Sequence, residues 1–132
     1  MIASASQTRV LVIEDEAIIA MLIEDMLCDL ACEVSATAGR FEEALALAET
    51  GDFDLALLDV NLVGRPVFPI ARLLAERGIP FAFLTGYGST EIDPAYSDAP
   101  VLSKPFLAQD LKAVLHRLLE KRRGTAGTSP TI

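Results

Sequence analysis

Leu55-Ala56-Leu57-Leu58-Asp59 is a short apolar run of strand length that ends on a carboxylate. Its nearly all-apolar interior fits a strand buried on both faces of a parallel sheet. Three other segments repeat the plan. Val10-Leu11-Val12-Ile13 ends in Glu14-Asp15, Phe81-Ala82-Phe83-Leu84 ends in Thr85, and Val101-Leu102-Ser103 ends in Lys104-Pro105. In a parallel sheet all strand C-termini share one edge, and open α/β folds bind ligands there. That edge would carry three carboxylates, a hydroxyl and a lysine.

Helical patterns lie between the runs. Glu16–Leu30 places Ile19, Leu22, Ile23, Met26, Leu27 and Leu30 at helical spacing. Phe41–Glu49, Val67–Arg77 and Leu107–Lys121 read likewise, the last with Leu107, Leu111, Val114, Leu115 and Leu118 on one stripe. Glu33–Thr37 is a weaker strand, and Asn61–Pro66 reads as a loop. Alternating strands and helices predict an α/β, doubly wound, five-stranded parallel sheet with helices on both faces. Between Thr85 and Pro100 the alternation asks for another helix, but Gly86, Gly88 and Pro94 oppose one. A short, distorted or mobile helix is expected there.

A chain of 132 residues suits one domain. The reading divides it into an N-terminal extension (1–8), a folded domain (9–123) and a flexible Gly/Ser/Thr/Pro-rich tail (124–132). A 52% apolar content is enough for a core and argues against wholesale disorder. No run approaches the roughly 20 apolar residues of a membrane span, and Met1–Arg9 lacks the pattern of a secretory signal. The expected setting is cytoplasmic, without membrane association. A net charge of -8 is the wrong sign for tracking nucleic acid. The basic cluster Lys121-Arg122-Arg123 reads as a complement to the dipole at a helix end. Cys28 and Cys32 lack the further ligands of a zinc site and read as reduced, packed thiols. His116 reads as an exposed helix residue.

Glu14, Asp15 and Asp59 would crowd one place. Two unit charges about 4 Å apart repel by ~4 kcal/mol at an effective dielectric of about 20, so three carboxylates call for a cation. Lys104 supplies one charge. A hard divalent ion such as Mg²⁺, which takes oxygen ligands, would supply the rest and orient a phosphoryl group. Asp59, ending the central strand, is the candidate nucleophile for an aspartyl-phosphate. Lys104 and Thr85 would contact the phosphoryl oxygens. Each acid alone suits a turn or a helix cap, and Asp15 could cap the first helix, but the four strand ends together favour a site.

Taken together, these motifs resemble the receiver domain of bacterial two-component response regulators, a flavodoxin-like fold. The resemblance runs from about Arg9 to Lys121 and rests on Glu14-Asp15, Asp59, Thr85 and Lys104-Pro105-Phe106. Asp59-Val-Asn-Leu and the stretch Pro80–Gly88 look most like the "FAT GUY" subgroup of single-domain regulators, although Leu84 stands where Ala is usual. The resemblance implies phosphoryl transfer to Asp59 from a histidine kinase or phosphotransfer protein. It implies Mg²⁺ held by Asp15, Asp59 and the main-chain carbonyl of Asn61, with Glu14 acting through water, and a cis Lys104–Pro105 peptide. It further implies a phospho-acceptor switch, not an enzyme beyond self-phosphorylation and autodephosphorylation. Signalling would pass through protein contacts or phosphate shuttling to an unnamed downstream protein, with no attached output domain.

Val101 occupies the position of the usual aromatic switch residue, so Tyr87, next to the small Gly86, is a candidate for that role or for shielding the acyl-phosphate. Gly86 would leave Asp59 open to a bulky donor. The competing readings are a receiver-like binding module that is never phosphorylated and a Mg²⁺-dependent aspartyl-phosphate phosphohydrolase. Asn61 lies where the latter's general acid would stand, and an amide cannot serve. A flavodoxin-like cofactor binder lacks its phosphate-cradling loop after the first strand.

Overall fold

The structure is a computed structural model that describes residues 7–86 and 91–128, with side chains described through Arg122. Along it run β1 (Arg9–Ile13), α1 (Ala17–Asp29), β2 (Glu33–Ala38), α2 (Phe41–Thr50), β3 (Leu55–Asp59), β4 (Asn61–Leu62), β5 (Arg65–Pro66), α3 (Phe68–Glu76), β6 (Phe81–Thr85), β7 (Val101–Ser103) and α4 (Ala108–Thr128). Five strands form a parallel sheet in the order β2-β1-β3-β6-β7. Strand alternation sends neighbouring side chains to opposite faces. Leu11, Ile13, Ala56 and Leu58 therefore join the α2 and α3 side, with Ala44, Ala48, Ile70 and Leu74. Val10, Val12, Leu55 and Leu57 join the α1 and α4 side, with Ile23, Leu27, Leu111 and Leu115. Covered on both faces, β3 and β6 are buried along their whole length. The sheet order reverses between β1 and β3, which puts the switch point beside Glu14, Asp15 and Asp59.

Several expectations need correction. Asn61–Pro66 is a small antiparallel hairpin rather than a loop, with Asn61 opposite Pro66 and Leu62 opposite Arg65. Val63 (φ 47°) and Gly64 (φ 82°) make its turn, and two successive positive φ values are the hairpin pattern that matches strand twist. Arg65 pins the hairpin to α2, lying 3.8 Å over the Phe41 ring and pairing with Glu42.

Between Thr85 and Pro100 the described residues 91–99 hold no α-helix: Glu91 is in 3₁₀ conformation, and a 3₁₀ turn spans Pro94–Tyr96 with Asp93 accepting from the Ala95 N–H. The short, distorted element expected there takes this form.

The last helix continues to Thr128 instead of ending at Lys121. Its basic cluster therefore lies inside the helix, and Arg122 pairs with Asp54 (3.0 Å) rather than with the helix end. Leu107 lies just before the helix and is exposed; the Asp110 carboxylate accepts from its main-chain N–H, as in a capping box. On α1 only Ile23 and Leu27 are fully buried, while Leu22 faces solvent with Ile18 and Met21. Cys28 is exposed rather than packed, and Cys32 is half-buried. No helix among the described residues is long and apolar enough to cross a membrane.

Candidate functional site

Among the described residues, the buried polar side chains are Glu14 (4% exposed), Asp59 (8%) and Thr85 (1%). Each sits at the C-terminal end of a core strand, where the ladder delivers it to one edge. Glu14 N–H closes on Ala38 O, Val60 N–H on Leu84 O, and Lys104 N–H on Thr85 O, and with the β1–β3 register that pairs Ile13 with Leu58 this fixes the relative heights of the strand ends.

Carboxylate oxygens of Glu14, Asp15 and Asp59 all lie within 4.8 Å of one another, Asp15 being the most exposed of the three. Lys104 Nζ stands 2.9 Å from Glu14 Oε1 and 3.4 Å from Asp59 Oδ2. The buried Glu14 Oε1 makes this ion pair without a hydrogen bond of regular geometry. Main-chain N–H groups occupy three other oxygens: Glu16 donates to Glu14 Oε2 (3.2 Å), Asn61 to Asp59 Oδ1 (3.3 Å) and Val63 to Asp15 Oδ2 (3.1 Å). Asp15 is therefore no helix cap; α1 is preceded by Glu16, which makes no side-chain capping bond. The Lys104–Pro105 peptide is cis.

Burial, then the neighbouring Glu14 carboxylate, raise the Asp59 pKa to about 7, with Lys104 pulling the other way. For Lys104, burial works against the charge, but Glu14 and Asp59 outweigh it and hold the amine above its ordinary pKa. One lysine does not neutralise the cluster, so a proton or a cation is needed to complete it. The buried Glu14 oxygen without a hydrogen bond and the close set of hard oxygen donors fit a small divalent cation.

A cleft of ≈ 350 Å³ opens over this set, lined by Asp15, Glu16, Asp59, Asn61, Gly86, Glu91 and Lys104. Glu14 and Thr85 lie beneath it. A Cβ built on Gly86 would meet no heavy atom of the described residues within 4 Å, so among them the residue after Thr85 stands in open space. Tyr87 lies outside the described residues. His116 is exposed on α4.

Two residues with roles at or near the site escape the sequence reading. Glu91 reaches back to accept from the Thr85 hydroxyl. Tyr96 stacks on Phe68 (centroids 5.8 Å, planes 8° apart) and meets Phe81 and Phe83 edge-on. Neither lies on a periodic pattern. A lone aromatic in the polar stretch 89–99 was the one available signal for Tyr96.

Fold and cleft together define a doubly wound, flavodoxin-like domain with an acidic, lysine-bearing site at its switch point. The chain belongs to the response regulator receiver domain family, which it matches over residues 10–116. It is 34% identical over 112 residues to the transcriptional regulatory protein PdtaR of Mycobacterium tuberculosis, covering 82% of this chain and 55% of that protein. The chain thus spans about half the length of the curated relatives it matches. Among solved structures, SdrG from Sphingomonas melonis Fr1 is 42% identical with a TM-score of 0.78, covering 86% of this chain and 97% of that one. PhyR from Brucella abortus is 31% identical with a TM-score of 0.81, covering 93% and 52%. These neighbours are consistent with the "FAT GUY" subgroup suggested by Pro80–Gly88.

Proposed function

We propose that Asp59 accepts a phosphoryl group from a phosphohistidine of a kinase or phosphotransfer protein, and that the chain then signals through protein contacts or passes the group on. The observation that carries this reading is the packing of Glu14, Asp15 and Asp59 oxygens within 4.8 Å, with Lys104 beside Asp59. In the transfer, an Asp59 oxygen bonds to phosphorus as the phosphorus–nitrogen bond breaks. The departing imidazole nitrogen keeps the electron pair and takes a proton from solvent. Lys104 neutralises charge on the phosphoryl oxygens and Thr85 donates its hydroxyl to one of them; transfer of this kind depends chiefly on positioning and charge neutralisation. Asp15, Asp59 and the Asn61 main chain would hold Mg²⁺, with Glu14 acting through water, and the ion would supply further positive charge at the phosphoryl oxygens.

The open space at Gly86 supports entry of a bulky donor. Ile18, Met21 and Leu22 on α1, with Val63 and Leu107, are exposed apolar residues. Ile18, Val63 and Leu107 follow the cleft residues Glu16, Asn61 and Lys104 by two or three positions, which supports docking of a protein donor over its mouth. Tyr87 remains our candidate for shielding the acyl-phosphate, and Tyr87→Ala should then hydrolyse faster.

Intact mass after incubation with acetyl phosphate, with and without Mg²⁺, tests the proposal beside Asp59→Asn. One added phosphoryl group requiring both Mg²⁺ and Asp59 is expected. No adduct from acetyl phosphate and none from any histidine kinase would leave the unphosphorylated binding module as the better reading.

A further inference from the structure

Glu91 occupies a place that phosphorylation would disturb. It lines the cleft with Asp59 and Lys104, and its Oε1 accepts from the Thr85 hydroxyl. The next residue, Ile92, packs against the core cluster on the α3 side, as does Tyr96 four residues further on. The segment 91–99 replaces a regular helix, and its first described residue is tied to the phosphoryl site by a side-chain bond. A phosphoryl group on Asp59 would bring ~1.5–2 negative charges and strong acceptor oxygens into the same cleft. It would compete for the Thr85 hydroxyl and repel the Glu91 carboxylate at once.

Resting on the phospho-acceptor reading above, we propose that Glu91 is a positioning residue. It holds the Thr85 hydroxyl in the unphosphorylated chain, and its displacement on phosphorylation releases the segment beginning at Ile92. The latch acts through the Thr85–Glu91 bond. It predicts that an acceptor oxygen at position 91 matters separately from the charge.

The test compares Glu91→Gln, which keeps an acceptor oxygen and loses the charge, with Glu91→Ala, which loses both. Each is made in the natural chain and in Thr85→Ala, and loading from acetyl phosphate with Mg²⁺ is followed by intact mass. Glu91→Ala should load about three- to tenfold faster than the natural chain, the range expected from one hydrogen bond of roughly 0.5–1.5 kcal/mol. Glu91→Gln should gain less, and in Thr85→Ala the two substitutions should become equal. Without any phosphodonor, amides of residues 92–99 should exchange faster in Glu91→Ala than in Glu91→Gln. Equal loading of Glu91→Ala and the natural chain overturns the proposal, as does the same Gln-to-Ala difference in both backgrounds. If the natural chain takes no phosphoryl group from any donor, the phospho-acceptor reading fails, and the exchange comparison still decides whether Glu91 holds the segment.

Discussion

The Lys104 amine stands nearer to Glu14 (2.9 Å) than to Asp59 (3.4 Å), so the lysine offered to a phosphoryl group is engaged first by a fully buried carboxylate. Removing one partner of a buried pair leaves a charge without compensation and costs about 3–5 kcal/mol. Lys104→Met should therefore destabilise the metal-free chain by about 3 kcal/mol at neutral pH. Adding Glu14→Gln should recover part of the loss, because the more deeply buried of the two stranded carboxylates is then gone. Urea unfolding of the two variants in EDTA checks this; a double variant no more stable than Lys104→Met would mean that packing of the lysine stem, not charge, is lost.

A second prediction follows from Asp59. Its folded pKa of about 7 lies above its ordinary 3.8, chiefly through burial and then through Glu14. A carboxyl that binds its proton more tightly when folded stabilises the fold most while protonated, below about pH 4. That contribution fades as pH rises toward 7 and is absent above it. In EDTA, the melting temperature of Asp59→Asn minus that of the natural chain should grow as pH climbs from 4 to 7 and then level off. Mg²⁺ should shrink the difference at pH 8 by stabilising the natural chain. A difference that stays flat across this window would show that Asp59 ionises in the fold as easily as in water.

Val63 supplies a third prediction. It is β-branched, 76% exposed and held at φ 47°, a region that such side chains strongly avoid. Its side chain gains little from packing, while its N–H is spent on Asp15 Oδ2. Val63→Gly keeps that donor and relieves the strain, so the metal-free chain should gain about 1 kcal/mol, strain relief outweighing the added freedom of the unfolded chain. Thermal melts in EDTA provide the measurement. A loss of stability would mean that the side chain contributes packing at the hairpin tip.

What the sequence could and could not reveal follows from the range of the forces involved. Asp59, Thr85 and Lys104 were legible because each ends a run whose apolarity already marks a buried strand, and a parallel sheet aligns such ends. The hairpin at Asn61–Pro66 was not, because Val at a positive-φ turn position contradicts local preference and is held by tertiary contacts of Val63 and Arg65. Leu22 and Leu107 were misplaced for a related reason. Helical spacing identifies an apolar stripe but not whether a partner covers its edge, nor that Asp110 would cap the helix just after Leu107. The Thr85–Glu91 bond joins two residues through an irregular segment that has no period to read.

The fourth prediction concerns the position usually filled by an aromatic switch, which is Val101 here. The aromatic packing sits instead at Tyr96, stacked on Phe68 at the start of α3 and edge-on to Phe83, two residues before Thr85. Aromatic pairs of this geometry add about 0.5–1.5 kcal/mol each beyond burial. Tyr96→Ala should therefore cost about 2 kcal/mol, less than a fully buried aromatic because the ring is only partly covered. Leu should recover part of the loss through burial alone, without the ring stacking. The loss should be local first: amides of residues 92–99 should exchange severalfold faster in Tyr96→Ala, while those of β1 and β3, buried in the sheet centre, change only with global stability. Uniform acceleration across the sheet would instead make Tyr96 a part of the common core, and would remove the basis for treating 91–99 as a separately movable segment.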